Sequence, residues 1–290
     1  MSIRLIKNTL LFKLRASPVG RMLNMPRRFA HASSTGAKSI VRASIWTFSS
    51  REDTNYTYPI TMTNMKYLAH TISVASSVSP EVCLRYMEEA REDQKLRDHL
   101  VNALTHGPYS NYADSRCDFG RRLGWYALAR ILRPKIVVET GIDKGFGAVL
   151  ICAALLRNGV GRYFGTDNNP RAGYLLREPY SSVGTILYGD SVDSLNRLDQ
   201  TIDLFINDSD HSGDYESREY HAIERKLTSD AFILSDNSHA TTRLMDWSDR
   251  AGRQFLFWKE EPDRHWYAGG GLGISFRPLN SPAAVTIHRS

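Results

Sequence analysis

The second half of the chain alternates between short apolar runs and longer stretches with helical periodicity. Each of five runs is rich in β-branched or aromatic residues, and each either ends in an acidic residue or is followed by one within two positions. Such alternation is typical of a parallel, doubly wound α/β sheet. The predicted strands are residues 135–139, 163–166, 186–188, 204–206 and 232–234. Ligands bind at the carboxyl ends of strands in these sheets, so the acidic residues predict a site there.

Two further apolar segments lie near the C-terminus. Residues 254–258 and 273–276 flank a run of three glycines at positions 269–271. We expect them to form an antiparallel pair that closes one edge of the sheet.

Helical patterns precede the sheet. Apolar residues recur at helical spacing from about Thr63, and Ser79 followed by Pro80 predicts the start of a charged helix that runs to about Leu104. A third helix is predicted over residues 118–132. The predicted organisation is therefore a leader (1–50), a helical cap (51–117) and an α/β domain (118–290). The region of helices between Thr63 and Leu132 is expected to supply four side chains to a pocket, namely Tyr109, Tyr112, Arg116 and Phe119.

Charge is distributed unevenly along the 290 residues. The whole chain has a net charge of +6, but residues 1–50 contain nine Lys and Arg and no Asp or Glu. The remaining 240 positions hold 28 basic and 31 acidic residues, a net charge of −3. The basic character thus belongs to the leader, which argues against a nucleic-acid partner for the body.

The basic leader has three interpretations. It can lie on a membrane surface or pack on a partner protein, it can be a transit peptide that is cleaved on entry to an organelle, or it can be disordered. The three cysteines lie far apart and predict neither disulfides nor a zinc site, and no apolar run is long enough to span a bilayer. We therefore expect a cytoplasmic and membrane-peripheral protein, with an organelle as the alternative. Self-association is left open.

A glycine-rich turn follows the first predicted strand. Its glycines at positions 141, 145 and 147 match neither the dinucleotide-binding spacing nor a phosphate loop. The turn therefore predicts a nucleoside-like cofactor without phosphates. Asp167 ends the next strand, where a carboxylate can bind ribose hydroxyls, and Asp190 with Ser191 follows the third strand, where they suit an adenine amino group. The alternative is that these residues only form tight turns and solvated loops.

Residues from about 120 to 276 resemble class I S-adenosylmethionine-dependent methyltransferases. The resemblance rests on the segment Glu139–Gly147, on the Phe-Gly-Thr-Asp end of the second strand and on the Gly-Asp-Ser step. It implies a Rossmann-like methyltransferase fold that follows a helical cap, with S-adenosylmethionine as cofactor. The cofactor-binding residues that it implies are Glu139, Gly141, Asp143, Gly145, Asp167, Asn168, Asp190, Ser191 and Asp208.

Acidic residues also follow the fourth and fifth strands. Oxygen ligands on two adjacent strand ends suit a hard divalent cation. The pattern resembles metal-dependent O-methyltransferases of the catechol type and of macrolide-sugar biosynthesis, which implies that Asp208, Asp236 and Asn237 bind Mg²⁺; Asp210 is an alternative ligand to Asp208. The same resemblance and the neutral-range pKa of histidine make His211 the expected general base, with Asp208 as its catalytic partner. A competing interpretation is that Asp210 or Ser212 merely caps the next helix.

The leading functional hypothesis is a magnesium-assisted O-methyltransferase that acts on a hydroxyl group of a sugar, a glycan or a glycosylated natural product. Two alternatives remain. The chain can methylate RNA or another anionic polymer held by the basic leader, or it can be a cofactor-binding subunit without activity.

Overall fold

The computed structural model describes residues 17, 18, 22, 24–114, 116–236 and 238–278, with only the backbone of Thr35. The chain divides into two units. One comprises Met1–Ser50 and Arg264–Trp266, and the other comprises Arg51–Asp263 and Tyr267–Ser290.

The first unit contains helix α1 (Met25–Ser49). Near its C-terminal end the ring of Trp46 packs 6.3 Å from His265 and 5.2 Å from Trp266, measured between ring centroids. Several large apolar side chains of α1 are exposed to solvent, among them Phe29 and Ile40. No helix in the described part of the chain is long and apolar enough to cross a membrane.

The second unit is built on one seven-stranded sheet with the strand order β3-β2-β1-β4-β5-β7-β6. Its strands are β1 (Ile136–Thr140), β2 (Arg162–Asp167), β3 (Gly184–Tyr188), β4 (Ile202–Asn207), β5 (Leu227–Ser235), β6 (Gln254–Lys259) and β7 (Gly271–Phe276). The first five strands are parallel, whereas β7 runs antiparallel to both β5 and β6. The predicted α/β class and the antiparallel edge pair are confirmed.

The described part of the chain contains nine α-helices, which precede the sheet strands or alternate with them along the sequence. They are α1, α2 (Met62–Ser76), α3 (Pro80–Glu92), α4 (Gln94–Thr105), α5 (Arg122–Leu132), α6 (Phe146–Asn158), α7 (Ser191–Arg197), α8 (Gly213–Ile223) and α9 (Arg243–Arg250). Short 3₁₀ turns occupy Ser110–Tyr112, Tyr180–Val183 and Glu224–Lys226.

Hydrophobic residues of the sheet alternate between two cores. Val137 packs with α2–α6 on one face, while the adjacent Val138 packs with α7–α9 on the other. Leu204 and Phe205 on β4 divide in the same way. Successive side chains of a strand point to opposite faces, so both faces are covered and the carboxyl ends of β1–β5 meet at one edge.

Three predicted boundaries were wrong. The helix predicted to run unbroken to Leu104 is divided at Asp93, whose extended backbone ends α3 and whose carboxylate accepts the Leu96 N–H at 3.0 Å to start α4. Helix α5 begins at Arg122 rather than at residue 118. Strand β5 begins at Leu227, with an irregular register where it pairs with the start of β4.

Candidate functional site

A cleft of about 340 Å³ opens at the carboxyl ends of β1–β4, and we call it the acidic cleft. Seven of the nine residues predicted to bind a cofactor line it: Gly141, Asp143, Asp167, Asn168, Asp190, Ser191 and Asp208. Glu139 instead lines an adjoining inner cavity of about 30 Å³, and Gly145 stands at the start of α6. The sheet topology therefore brings the predicted residues of four strand ends to one place.

The glycine-rich turn depends on backbone conformations that few residues adopt. Gly141 has a φ of +76°, and a Cβ added there would lie 2.1 Å from the carbonyl oxygen of Asp208. Asp143 also has a left-handed backbone, with a φ of +46°, and its N–H donates to Oδ2 of Asp167 at 2.9 Å. Because Gly141 carries no side chain, the backbone of the loop after β4 can approach the turn closely.

The acids after β2 and β3 are already hydrogen-bonded. Asp167 accepts the N–H groups of Asp143 and Asn169, one on each carboxylate oxygen, which leaves each oxygen a lone pair for a ligand hydroxyl. Asp190 caps α7 by accepting the Asp193 N–H at 3.0 Å, and it accepts the Tyr215 hydroxyl at 2.9 Å. Both carboxylates are therefore held in fixed orientations at the cleft.

The buried side chain of Glu219 on α8 organises the floor of the cleft. Its carboxylate accepts hydrogen bonds from four side chains: Ser191, Ser209, Asn207 and Thr140. Burial raises the pKa of Glu219 to about 7. This role was not predicted, because Glu219 lies in a charged segment whose pattern is typical of a solvated helix.

The inner cavity places two opposite charges beside the glycine-rich turn. Glu139 is buried, accepts the Tyr163 hydroxyl at 2.7 Å, and has its pKa raised to about 7 by burial. Lys144 is also buried, and its Nζ lies 2.9 Å from the centre of the Tyr56 ring. Burial lowers the pKa of Lys144. Tyr56 precedes the first helix of the cap and was not predicted to line a site.

The predicted contributions of the cap are met in part. Tyr112 lines the inner cavity and also a neighbouring cavity of about 250 Å³, which Tyr109 lines as well. Arg116 is exposed. Phe119 is buried in the hydrophobic core, where its ring lies 5.8 Å from that of Phe146.

A buried ion-pair cluster lies at the ends of β5 and β6. Arg121 donates from two nitrogens to the two carboxylate oxygens of Asp236, and its third nitrogen donates to Glu260 at 3.1 Å and to the hydroxyl of Tyr58. The Tyr58 hydroxyl in turn donates to Glu260 at 2.8 Å. Burial would raise the pKa of Asp236, but the charge and hydrogen bonds of Arg121 hold it below its ordinary value.

One of the predicted magnesium ligands, Asp236, belongs to this cluster. Arg121 donates one hydrogen bond to each oxygen of Asp236, so the carboxylate is paired with a guanidinium. Removal from water, together with the charge on Asp236, raises the pKa of Asp208 well above its ordinary value. Within the described ranges no three His, Cys, Asp or Glu side chains form a metal-binding group. The assignment of Asp208 and Asp236 as metal ligands stays a prediction, and Asn237 lies outside the described residues.

The loop after β4 carries the remaining candidates. Asp210 accepts the Ser212 N–H at 2.8 Å, just before α8 begins at Gly213. The N-cap of α8 is Ser212, and neither Asp210 nor Ser212 makes the side-chain capping bond that the sequence offered as an alternative. Asp210 lines the acidic cleft. His211 lies between Asp210 and Ser212 and is exposed.

The strand order and the site at the carboxyl ends of the strands define an α/β domain of the methyltransferase fold. A family model described as a methyltransferase domain matches residues 138–238, so this segment is a methyltransferase domain. No curated protein sequence matches the chain.

Solved structures with a similar arrangement share little sequence with the chain. A methyltransferase from Geobacter sulfurreducens is 17% identical with a TM-score of 0.48, and 64% of this chain aligns with 92% of that one. The O-methyltransferase TomG from Streptomyces achromogenes is 16% identical with a TM-score of 0.45, and 64% of this chain aligns with 90% of that one. An O-methyltransferase from Bacillus cereus is 14% identical with a TM-score of 0.45, and 64% of this chain aligns with 92% of that one.

Proposed function

We propose that the chain is an S-adenosylmethionine-dependent O-methyltransferase that methylates a hydroxyl group of a small molecule. The observation that carries this proposal is the acidic cleft at the strand ends of a methyltransferase domain. Its glycine-rich turn lacks a phosphate cradle, and its carboxylates complement a positively charged sulfonium cofactor.

Each part of the cleft has a proposed role in holding the cofactor. Asp167 accepts the ribose hydroxyls, while Asp190 and Ser191 face the adenine. Gly141 lets the turn pack against the Asp208 carbonyl and so shapes the cleft for the cofactor. Glu139 and Lys144, which line the inner cavity, complement the amino and carboxylate groups of the methionine end. When bound there, S-adenosylmethionine supplies an electrophilic methyl group.

The acceptor hydroxyl must lose its proton, and we propose that an imidazole nitrogen of His211 takes it. His211 is three residues beyond Asp208, on a loop whose preceding residues line the acidic cleft. Burial and the neighbouring charge of Asp236 raise the pKa of Asp208, and we propose that Asp208 assists His211 from the adjoining strand end.

The proposal contains no metal step. At the ends of β4 and β5, where the sequence predicted magnesium, the positive charge belongs to Arg121. The guanidinium is fixed by three partners, Asp236, Glu260 and Tyr58, and it cannot leave without breaking a buried network. We propose that this fixed charge holds Asp236 ionised at the end of β5.

The expected acceptor is a sugar or another polyol. The 250 Å³ cavity next to the glycine-rich turn is lined by four tyrosines, together with Lys144 and Arg171. The tyrosines are Tyr56, Tyr109, Tyr112 and Tyr174. Tyrosine combines an apolar ring with a polar hydroxyl, which suits the flat face and the hydroxyl groups of a sugar.

Cofactor binding is tested by calorimetry with S-adenosylmethionine on the wild type and on Asp167→Asn. We expect the variant to bind about tenfold to a hundredfold more weakly, because it loses a charge-assisted hydrogen bond to ribose. Asp199→Asn is the matched control, since Asp199 is exposed and precedes β4 at the opposite edge of the sheet. Equal affinities of the two variants would refute the cofactor site.

Methyl transfer is tested next on a panel of sugars and polyols, with Mg²⁺ and with a chelator. The proposal expects transfer that is equal in both conditions and lost in His211→Ala. Loss of transfer in the chelator would overturn the metal-free mechanism. Cofactor binding without transfer to any acceptor would instead identify a binding subunit without activity.

A further inference from the structure

Helix α1 carries a continuous apolar stripe on one side. The stripe consists of Met25, Phe29, Ala32, Gly36, Ile40 and Ala43, at successive spacings of three and four residues. At about 100° per residue these positions fall within a sector of roughly 80° over five turns. The three large side chains, Met25, Phe29 and Ile40, are 59%, 74% and 69% exposed.

The polar groups that border the stripe are satisfied within the helix. The hydroxyl of Ser33 donates to the Phe29 carbonyl at 2.7 Å, that of Ser44 to Ile40 at 2.9 Å, and that of Thr47 to Ala43 at 2.8 Å. A hydroxyl that already donates to a backbone carbonyl loses less on leaving water. This side of α1 is therefore suited to an environment without water.

The opposite side of α1 carries basic side chains together with the exposed Val41 and Ile45. Arg27, Lys38 and Arg42 project about 140° to 180° away from Phe29 around the helix axis. Residues 1–50 contain nine Lys and Arg and no acidic residue, whereas the rest of the chain has a net charge of −3. An attraction to anionic surfaces is therefore confined to this segment.

We propose that α1 docks on the surface of an anionic lipid bilayer, with its apolar stripe among the acyl chains and its basic side at the headgroups. A helix with one apolar side and Lys and Arg on the other lies in the plane of the membrane interface. The stems of Lys and Arg reach the headgroups from the flanks of such a helix. Two copies of α1 repel each other through their like charges, and a nucleic acid would leave the apolar stripe exposed.

The experiment measures binding of the full chain to vesicles by flotation. Vesicles of phosphatidylcholine are compared with vesicles that contain about 30% phosphatidylserine, and binding is expected to rise at least tenfold with the anionic lipid. Phe29→Asp is expected to reduce this binding by about tenfold or more, because the ring no longer enters the acyl region. Ser34→Asp is the matched control, since it adds the same charge at an exposed position on the other side of α1.

A second pair of variants tests the charge. Arg27→Glu with Lys38→Glu is expected to abolish the preference for the anionic vesicles, whereas Arg85→Glu with Lys95→Glu, at exposed positions of α3 and α4, is expected to preserve it. Circular dichroism verifies that all variants keep their helices. Absent binding to anionic vesicles, or equal effects of Phe29→Asp and Ser34→Asp, would overturn the proposal. Self-association that Phe29→Asp abolishes, without vesicle binding, would identify a second copy as the occupant. None of these results depends on the proposed enzymatic activity.

Discussion

The buried carboxylate of Glu219 makes the stability of the protein dependent on pH. In the unfolded chain this group titrates near 4.5, whereas burial raises its pKa to about 7 in the folded protein. Between these two values the folded protein holds a proton that the unfolded chain has released. The free energy of unfolding therefore falls as the pH rises through this window, and Glu219 contributes up to about 3 kcal/mol to the fall.

Glu219→Gln removes this dependence while it keeps the shape of the side chain. Glutamine is neutral at every pH, and its amide oxygen can accept from Asn207 while its amide N–H₂ donates to the hydroxyls of Ser191 and Ser209, which can rotate. We expect the variant to lose about 1–2 kcal/mol at pH ~5, where the wild-type carboxyl is also neutral. Near pH ~8 this deficit should disappear or reverse, because only the wild type must then bury a charge.

Urea unfolding followed by circular dichroism at several values between pH ~5 and pH ~8 measures the free energy of unfolding of each protein and its dependence on pH. The pKa of Glu139 is also raised to about 7. Glu139 lowers the free energy of unfolding of the wild type and of Glu219→Gln equally as the pH rises, so its contribution cancels when the two proteins are compared. Glu224→Gln is the control, because Glu224 is exposed on the turn that follows α8. If Glu219→Gln and Glu224→Gln show the same pH dependence as the wild type, the buried-charge reasoning is refuted.

Two further predictions concern the glycine-rich turn and the ion-pair cluster. Gly141→Ala should abolish cofactor binding and lower the melting temperature strongly, because its Cβ would meet the Asp208 carbonyl. Gly159 is the control, since it has a similar φ of +67° but no atom within 4 Å of an added Cβ. Gly159→Ala should reduce the free energy of unfolding by only about 1–2 kcal/mol. Similar losses in the two variants, measured by calorimetry and thermal unfolding, would exclude the steric explanation. Arg121→Gln should reduce the free energy of unfolding by about 3–5 kcal/mol, because Asp236 and Glu260 stay buried without their partner. Arg85→Gln, at an exposed position, should change it by less than about 0.5 kcal/mol, and a comparable effect of the two variants would contradict the role given to Arg121.

The sheet and the lining of the acidic cleft followed from local sequence patterns. Strand periodicity is a short-range signal, and the acids that end β2 and β3 lie directly after the apolar runs that predict those strands. Once the strands are parallel, their carboxyl ends meet at one edge, so Asp167 and Asp190 converge without further information.

The break at Asp93 and the ion-pair cluster did not follow from the sequence, for different reasons. Apolar spacing continues through Asp93, and only its hydrogen bond to Leu96 and its ion pair with Arg157 at 2.6 Å show the new helix start. Arg121 and Asp236 are 115 positions apart, and no local pattern distinguishes an acid that binds a metal from one that binds a distant arginine. An acidic residue at a strand end is compatible with a metal ligand and with a partner of a distant arginine equally well.

The cluster around Arg121 also determines when the site can be completed during synthesis. Tyr58, Arg121, Asp236 and Glu260 come from four segments, and the Tyr58–Glu260 contact spans 202 positions. A nascent chain that has just released β5 holds Arg121 and Asp236 but still lacks the Glu260 side chain and the Gly270 N–H that binds it at 2.7 Å. The strand ends therefore acquire their final geometry only when the antiparallel edge has paired. For the same reason the segment 138–238, excised alone, would contain Asp236 without the arginine that neutralises it.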